Sequence, residues 1–122
     1  MSVVITFAQL NEPCLPDGIF FNSQAQIDNF QTDYPDCDAI GGYVIIYGDD
    51  ITNFNGLNNL NSIGGDLSIN GNTSLTTLTG FDNLDSIGGS FMIENNVSLT
   101  TLTDLGHKVF IGGDLQIFEN QF

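Results

Sequence analysis

The chain has 122 residues, 41% of them hydrophobic, enough for one domain with a modest core and too apolar for a disordered segment. Fifteen acidic residues stand against a single Lys or Arg, for a net charge of −14. Nucleic acid and anionic lipid surfaces both need cations to neutralise phosphate, so neither is expected as a partner; no run approaches the ~20 apolar residues of a spanning helix, so membrane insertion is not expected either.

In chain order, residues 1–9 come first. Ser2 to Ala8 is a short apolar run followed by Ala8-Gln9, which reads either as the remnant of a signal peptide or as a terminal strand built on Val3, Val4, Ile5 and Phe7. Residues 10–39 read as an N-terminal cap. Ser23-x-x-Gln26 has the form of a capping box, and Ile27, Phe30 and Tyr34 follow at i, i+3 and i+7, so a short helix is expected there, ended by Pro35. Cys14 and Cys37 flank that helix. In an exported protein they would form one disulfide stapling the cap to the first repeat, and in a cytosolic one they would be free thiols. There is no paired CxxC arrangement, and one histidine cannot complete a zinc set.

Residues 40–122 repeat. Ile-Gly-Gly recurs at Ile40, Ile63, Ile87 and Ile111, at intervals of 23, 24 and 24 residues. Aligned on those triplets, apolar residues fall into columns: Val44, Leu67, Phe91 and Leu115, then Ile46, Ile69, Ile93 and Ile117. Further columns hold Ile51, Leu75 and Leu99; Phe54, Leu78 and Leu102; and Leu57, Phe81 and Leu105. The Leu67-x-Ile69 alternation is that of a strand with one buried face. The Ser-Leu-Thr-Thr-Leu segments at Ser74 and Ser98 read as a second extended stretch per coil. No helical period persists, so the fold class is mainly all-β. The expected architecture is a short right-handed β-solenoid with coils starting at Ile40, Ile63, Ile87 and Ile111, stacked ~4.8 Å apart so that the columns close one interior. The Gly pairs suit corners that need positive φ or close backbone approach. A structural ladder of Asn72, Asn96 and Asn120 is expected to bond the turns between coils. At the far end, Leu115 to Phe118 would be an open edge.

These residues resemble a known group. Cys14…Ser23-Gln24-Ala25-Gln26-Ile27-Asp28-Asn29-Phe30…Tyr34-Pro35-x-Cys37 is similar to the start of a family of secreted Bacteroidetes surface proteins. Leu60-Asn-Ser-Ile63-Gly-Gly-Asp66-Leu-Ser-Ile69…Asn72…Ser74-Leu-Thr-Thr-Leu78 resembles that family's receptor-L-domain-like, leucine-rich-type repeats. The resemblance runs from Cys14 to Phe122. It implies an exported, secreted or cell-surface module, often followed by further repeats and a sorting domain, and it supplies no catalytic residues. The chain departs from the pattern at Gly106-His107-Lys108-Val109-Phe110, where Lys108 takes the column of Leu60 and Leu84. That corner is expected to be rebuilt, with Val109 or Phe110 turned inward.

Chemistry is sparse. His107 is the sole histidine, and no motif pairs it with a nucleophile, so no catalytic residue and no enzyme activity is expected. No cofactor is expected. Asp49-Asp50, Asp82, Asp85 and Asp104 are turn carboxylates suited to Ca2+, a weak alternative, because no known calcium-loop pattern is present. Asn72-Thr-Ser74 and Asn96-Val-Ser98 match the N-glycosylation acceptor pattern, but the Asn ladder accounts for them without sugar. The Thr76-Thr77 and Thr100-Thr101 pairs, with Thr79 and Thr103, make ice binding a minor alternative.

Outward positions of the main sheet are mostly polar. The exceptions are Tyr43, Ile45, Tyr47, Met92 and Phe118, an interface candidate for a protein or glycan ligand unless the N-terminal segment folds over Tyr43 to Tyr47. The leading expectation is therefore a non-catalytic extracellular recognition or adhesion module acting through its sheet face. A self-assembling subunit of an extracellular fibre or surface matrix, joined as a homo-oligomer or filament through the open last coil, is the alternative.

Overall fold

The computed structural model describes residues 13–105 and 107–122; residues 1–9, read above as a signal remnant or strand, lie outside them. The chain winds so that each turn adds one strand to each of two parallel sheets. The larger sheet holds β1 (Ile19–Phe21), β3 (Val44–Ile46), β5 (Leu67–Asn70), β7 (Phe91–Glu94) and β9 (Leu115–Phe118), in that order. The smaller holds β2 (Ala39–Ile40), β4 (Ser62–Ile63), β6 (Ser86–Ile87) and β8 (Phe110–Ile111).

The aligned columns are physical rows. Val44 pairs with Leu67, Leu67 with Phe91, and Phe91 with Leu115; Ile46, Ile69, Ile93 and Ile117 are in register beside them. Period-two alternation puts both rows on one face, where Val44, Ile46, Leu67, Ile69, Phe91 and Ile93 are buried. Leu75, Leu78, Phe81 and Leu84, with their counterparts in the preceding coil, close the other sides of the same core. Phe54 and Phe81 stack between coils with ring centroids 4.6 Å apart.

Two expectations change. The Ser-Leu-Thr-Thr-Leu segments are not strands; they bury Leu75 and Leu99 on irregular backbone. The second sheet instead forms at the residues running into each Ile-Gly-Gly. Thr favours strands because it fits a half-buried pleated surface, and here tight turns on both sides leave no room for a ladder. The Gly pairs also serve a narrower purpose than expected. Their φ angles are negative, and a Cβ on Gly64, Gly88 or Gly112 would collide with the carbonyl of Gly41, Gly64 or Gly88 in the coil before. Close approach between coils is what demands glycine there.

The segment 10–39 carries both the helix and a strand. β1 pairs with β3, Ile19 beside Val44 and Phe21 beside Ile46, so the large sheet begins one coil before the first Ile-Gly-Gly. Helix α1 (Gln24–Asp28) follows, with the Ser23 hydroxyl accepting from the Gln26 N–H at 3.2 Å. The Gln26 amide oxygen accepts from the Asn22 N–H at 2.9 Å, one residue earlier than a strict capping box. The chain then bends at Asn29 into α2 (Phe30–Asp33). Ile27 and Phe30 plug the interior, and Phe30 meets Phe21 edge-on at 5.6 Å. Gln24 locks this plug to the coil below: its amide oxygen accepts from Thr52 and Asn53 N–H, and its amide nitrogen donates to the Asn53 carbonyl. Cys14 and Cys37 are disulfide-bonded, Cα atoms 5.7 Å apart, tying the stretch before β1 to the stretch before β2.

At the altered corner Val109 packs against the core, whereas Phe110 points out and is 66% exposed. The apolar contact has moved one residue along from the column that Lys108 occupies.

Candidate functional site

Three groups of sequence-selected residues occupy three places. The first is the interior turn holding the asparagines. Asn72 and Asn96 are fully buried. The Asn96 amide oxygen accepts from both the backbone and the side-chain N–H of Asn72, each at 3.0 Å, and its amide nitrogen donates to the Ile69 carbonyl at 2.9 Å. Asn120 does the same for Asn96 and donates to the Ile93 carbonyl. Asn72 reaches the first coil, where its oxygen accepts from the Gly48 N–H. An amide holding three or four bonds in a dry interior cannot carry a sugar without exposing all of them, so the two acceptor patterns are structural.

The second place is the end of the stack. β9 is the last strand of the large sheet, and beneath it lies a recess of about 280 Å³ lined by Phe91, Ile93, Leu105, Val109, Ile111 and Ile117, with Leu102, His107 and Leu115 at its margin. Leu115 is 54% exposed, and Phe118 is exposed beside it. His107 does sit at a concavity, contrary to the flat corner an inert loop would give. Its Nε2–H donates to the Leu84 carbonyl at 2.8 Å, and every other lining residue is apolar. With no hydroxyl, thiol or carboxylate in the lining, the imidazole has nothing to activate.

The turn carboxylates do not converge. Asp50 accepts from the Gln24 N–H and Asp104 from the Leu78 N–H, in different coils. Among the described residues no three His, Cys, Asp or Glu side chains gather to hold a metal. The Thr hydroxyls pair within coils, Thr77 with Thr79 at 2.9 Å and Thr101 with Thr103 at 3.0 Å.

The third place is the outer face of the large sheet, and it splits the five interface candidates. Tyr43, Ile45 and Tyr47 lie together on or beside β3, and Phe20 joins them from β1, directly in register with Ile45. Phe20, Tyr43 and Tyr47 are 48%, 42% and 54% exposed. Residues 13–21 do not fold over this patch, since β1 extends the sheet sideways. Met92 lies apart, beyond Ser68, and Phe118 pairs in register with Glu94 at the free edge. Phe20 escaped the sequence reading because no Ile-Gly-Gly marks its coil, although the Ile19-Phe20-Phe21 run carried the same alternation.

The two tyrosines are held rather than loose. A Cβ on Gly18 would run into the Tyr43 ring, and one on Gly71 would come within 2.8 Å of the Tyr47 ring. Each ring therefore lies over bare glycine backbone with the opposite side free. Asp66 neighbours Tyr43 one strand over, and Asn70 neighbours Tyr47. The face thus offers rigid aromatic surface with polar groups at strand spacing, a composition suited to recognition.

No curated protein and no solved structure matches the chain. A family profile does: the Receptor L domain, over residues 36–122, which spans most of the repeat region described here and more than half of the chain. Modules of this kind are extracellular, ligand-binding and non-catalytic, and the chain carries a disulfide in keeping with an extracellular place. On that match and this geometry, the chain belongs to the Receptor L domain family.

Proposed function

We propose that the chain is a secreted or cell-surface recognition module that binds a protein ligand through the outer face of its large sheet. The stack is read as a right-handed β-solenoid, the hand that parallel crossover connections take in about 98% of cases. One observation carries the functional reading: Phe20, Tyr43, Ile45 and Tyr47 form a contiguous apolar patch on an otherwise polar sheet, with two of its rings fixed over Gly18 and Gly71. Aromatic side chains held in place lose little entropy on binding and are the commonest energetic anchors of interfaces.

The test is a screen of the immobilised chain against arrays of extracellular proteins and of glycans. It is run in parallel with Tyr47→Asp and with Thr101→Asp, the latter on a different side of the coil. Ligands retained by Thr101→Asp and lost by Tyr47→Asp are the expected result. Ligands indifferent to Tyr47→Asp would overturn the assignment of the face.

A second reading rests on the open recess beneath β9. Its apolar lining has no matching surface at the opposite end among the described residues, where Ile27 and Phe30 close the core. Self-association would then join two recesses about a two-fold axis, giving a closed dimer in preference to a growing fibre. Light scattering of the wild type and Leu115→Asp checks this: a dimer that the substitution reduces to monomer supports it, and a wild type still monomeric at about 100 μM, 100-fold above a Kd of about 1 μM, rejects it.

A further inference from the structure

The aromatic patch also carries a charge signature that narrows its partner. Alternation along β3, β5, β7 and β9 turns Asp66, Glu94 and Asp114 to the same outer face as Tyr43 and Tyr47. Asp66 lies in register with Tyr43, with Ser90 and then Asp114 beyond it in the same row; Glu94 lies two strands from Tyr47, beyond Asn70. Adjacent strands are ~4.8 Å apart, and the Tyr47 ring leans over Gly71 toward β7, so a cation over that ring is within about 5–10 Å of the Glu94 carboxylate. The Asp66 carboxylate turns away from Tyr43 toward β7, one oxygen accepting from the Ser90 N–H at 2.8 Å, and adds to the negative charge there. No Lys or Arg shares the face: the chain's one cation is Lys108, in the corner before β8.

An all-carboxylate face on a chain of net charge −14 repels acidic surfaces and attracts basic ones. Fixed Tyr rings add a second, non-Coulombic preference for guanidinium, which stacks on aromatic faces while its N–H groups reach a carboxylate alongside. We infer that the sheet face takes a cationic protein surface, with an arginine side chain seated over Tyr47 and paired to Glu94. This rests on the recognition reading above and names the chemistry of its ligand. The Tyr43 ring, four residues earlier, leans the opposite way over Gly18 and offers a second stacking surface without a carboxylate alongside.

A nine-residue arginine peptide, its lysine counterpart and a neutral Gly-Ser peptide serve as probes, with neutral oligosaccharides alongside. Binding is followed by fluorescence anisotropy at 50 and 300 mM salt. The arginine peptide should bind more tightly than the lysine one, and both should weaken at the higher salt as screening shortens to about 6 Å. Tyr43→Ala with Tyr47→Ala should weaken arginine binding about tenfold and erase the arginine preference, whereas Asp33→Asn with Asp36→Asn, which remove two negative charges from the cap and leave the face untouched, should change it little. Circular dichroism of each variant establishes that it is folded. If the cap variants cost as much as the tyrosines, the attraction is diffuse charge and the inference falls. If a neutral oligosaccharide binds and is lost with the tyrosines, the face is a recognition site but its ligand is not cationic. If no ligand of any kind responds to the tyrosines, the recognition reading fails with it.

Discussion

The two ends of the stack solve the same problem differently. In the coil of β1, ahead of the first Ile-Gly-Gly, the stretch that holds an asparagine and a Leu corner in the later coils is taken by α1 and α2, whose Ile27 and Phe30 fill the mouth of the core. Glutamines 24, 26 and 31 bond that plug to neighbouring backbone, and a disulfide fastens the chain on either side of it. At the last coil nothing of the kind is present among the described residues. Leu115 and Ile117 border a recess, and the ladder stops at Asn120. The contrast teaches that a coil is only as buried as its successor makes it. Interior coils gain stability from both neighbours, and a terminal coil needs substitute side chains or a partner.

That contrast can be broken or sharpened. The largest expected difference is in packing: Phe30→Ala should cost about 3–5 kcal/mol, while Leu115→Ala at the open end should cost under about 1 kcal/mol. Urea unfolding of both variants checks this, and equal costs would show that the ends are packed alike. Next comes the staple. Replacing Cys14 and Cys37 by serine opens a link across a sequence separation of 23 and should cost about 3 kcal/mol, an effect that reducing agent reproduces in the wild type. Smallest is the ladder. Asn96→Ala strands buried N–H and C=O groups on both neighbouring coils and should cost about 2–3 kcal/mol, against about 1 kcal/mol for the same change at half-buried Asn120. Thermal melts of the pair would reveal whether the ladder weakens toward the open end.

How much of this was legible beforehand follows from what repeats. Val44, Leu67, Phe91 and Leu115 could be aligned because one physical environment recurs at nearly constant spacing, and stacking makes spacing equal to neighbourhood. β1 was hidden because its coil replaces the usual Asn turn by helices, so Ile19 and Phe21 had no triplet to align on. The second sheet was misplaced because its strands are two residues long, too short for any alternation to appear. The interface candidates were chosen one by one as apolar residues on an outward face. Only strand register could show that Tyr43, Ile45 and Tyr47 form one patch with Phe20, while Met92 and Phe118 stand alone.

The glycine pairs have a consequence for how such a chain can change. Since Gly64, Gly88 and Gly112 each sit against the carbonyl of the equivalent glycine one turn earlier, every turn meets its predecessor through the same surface. Excising or copying a full repeat between Ile63 and Ile111 leaves each glycine against the same carbonyl, whereas an odd-numbered change within a strand turns its inward residues outward. Length in this molecule is therefore quantised, and its reach can be altered in whole steps without redesigning a single joint.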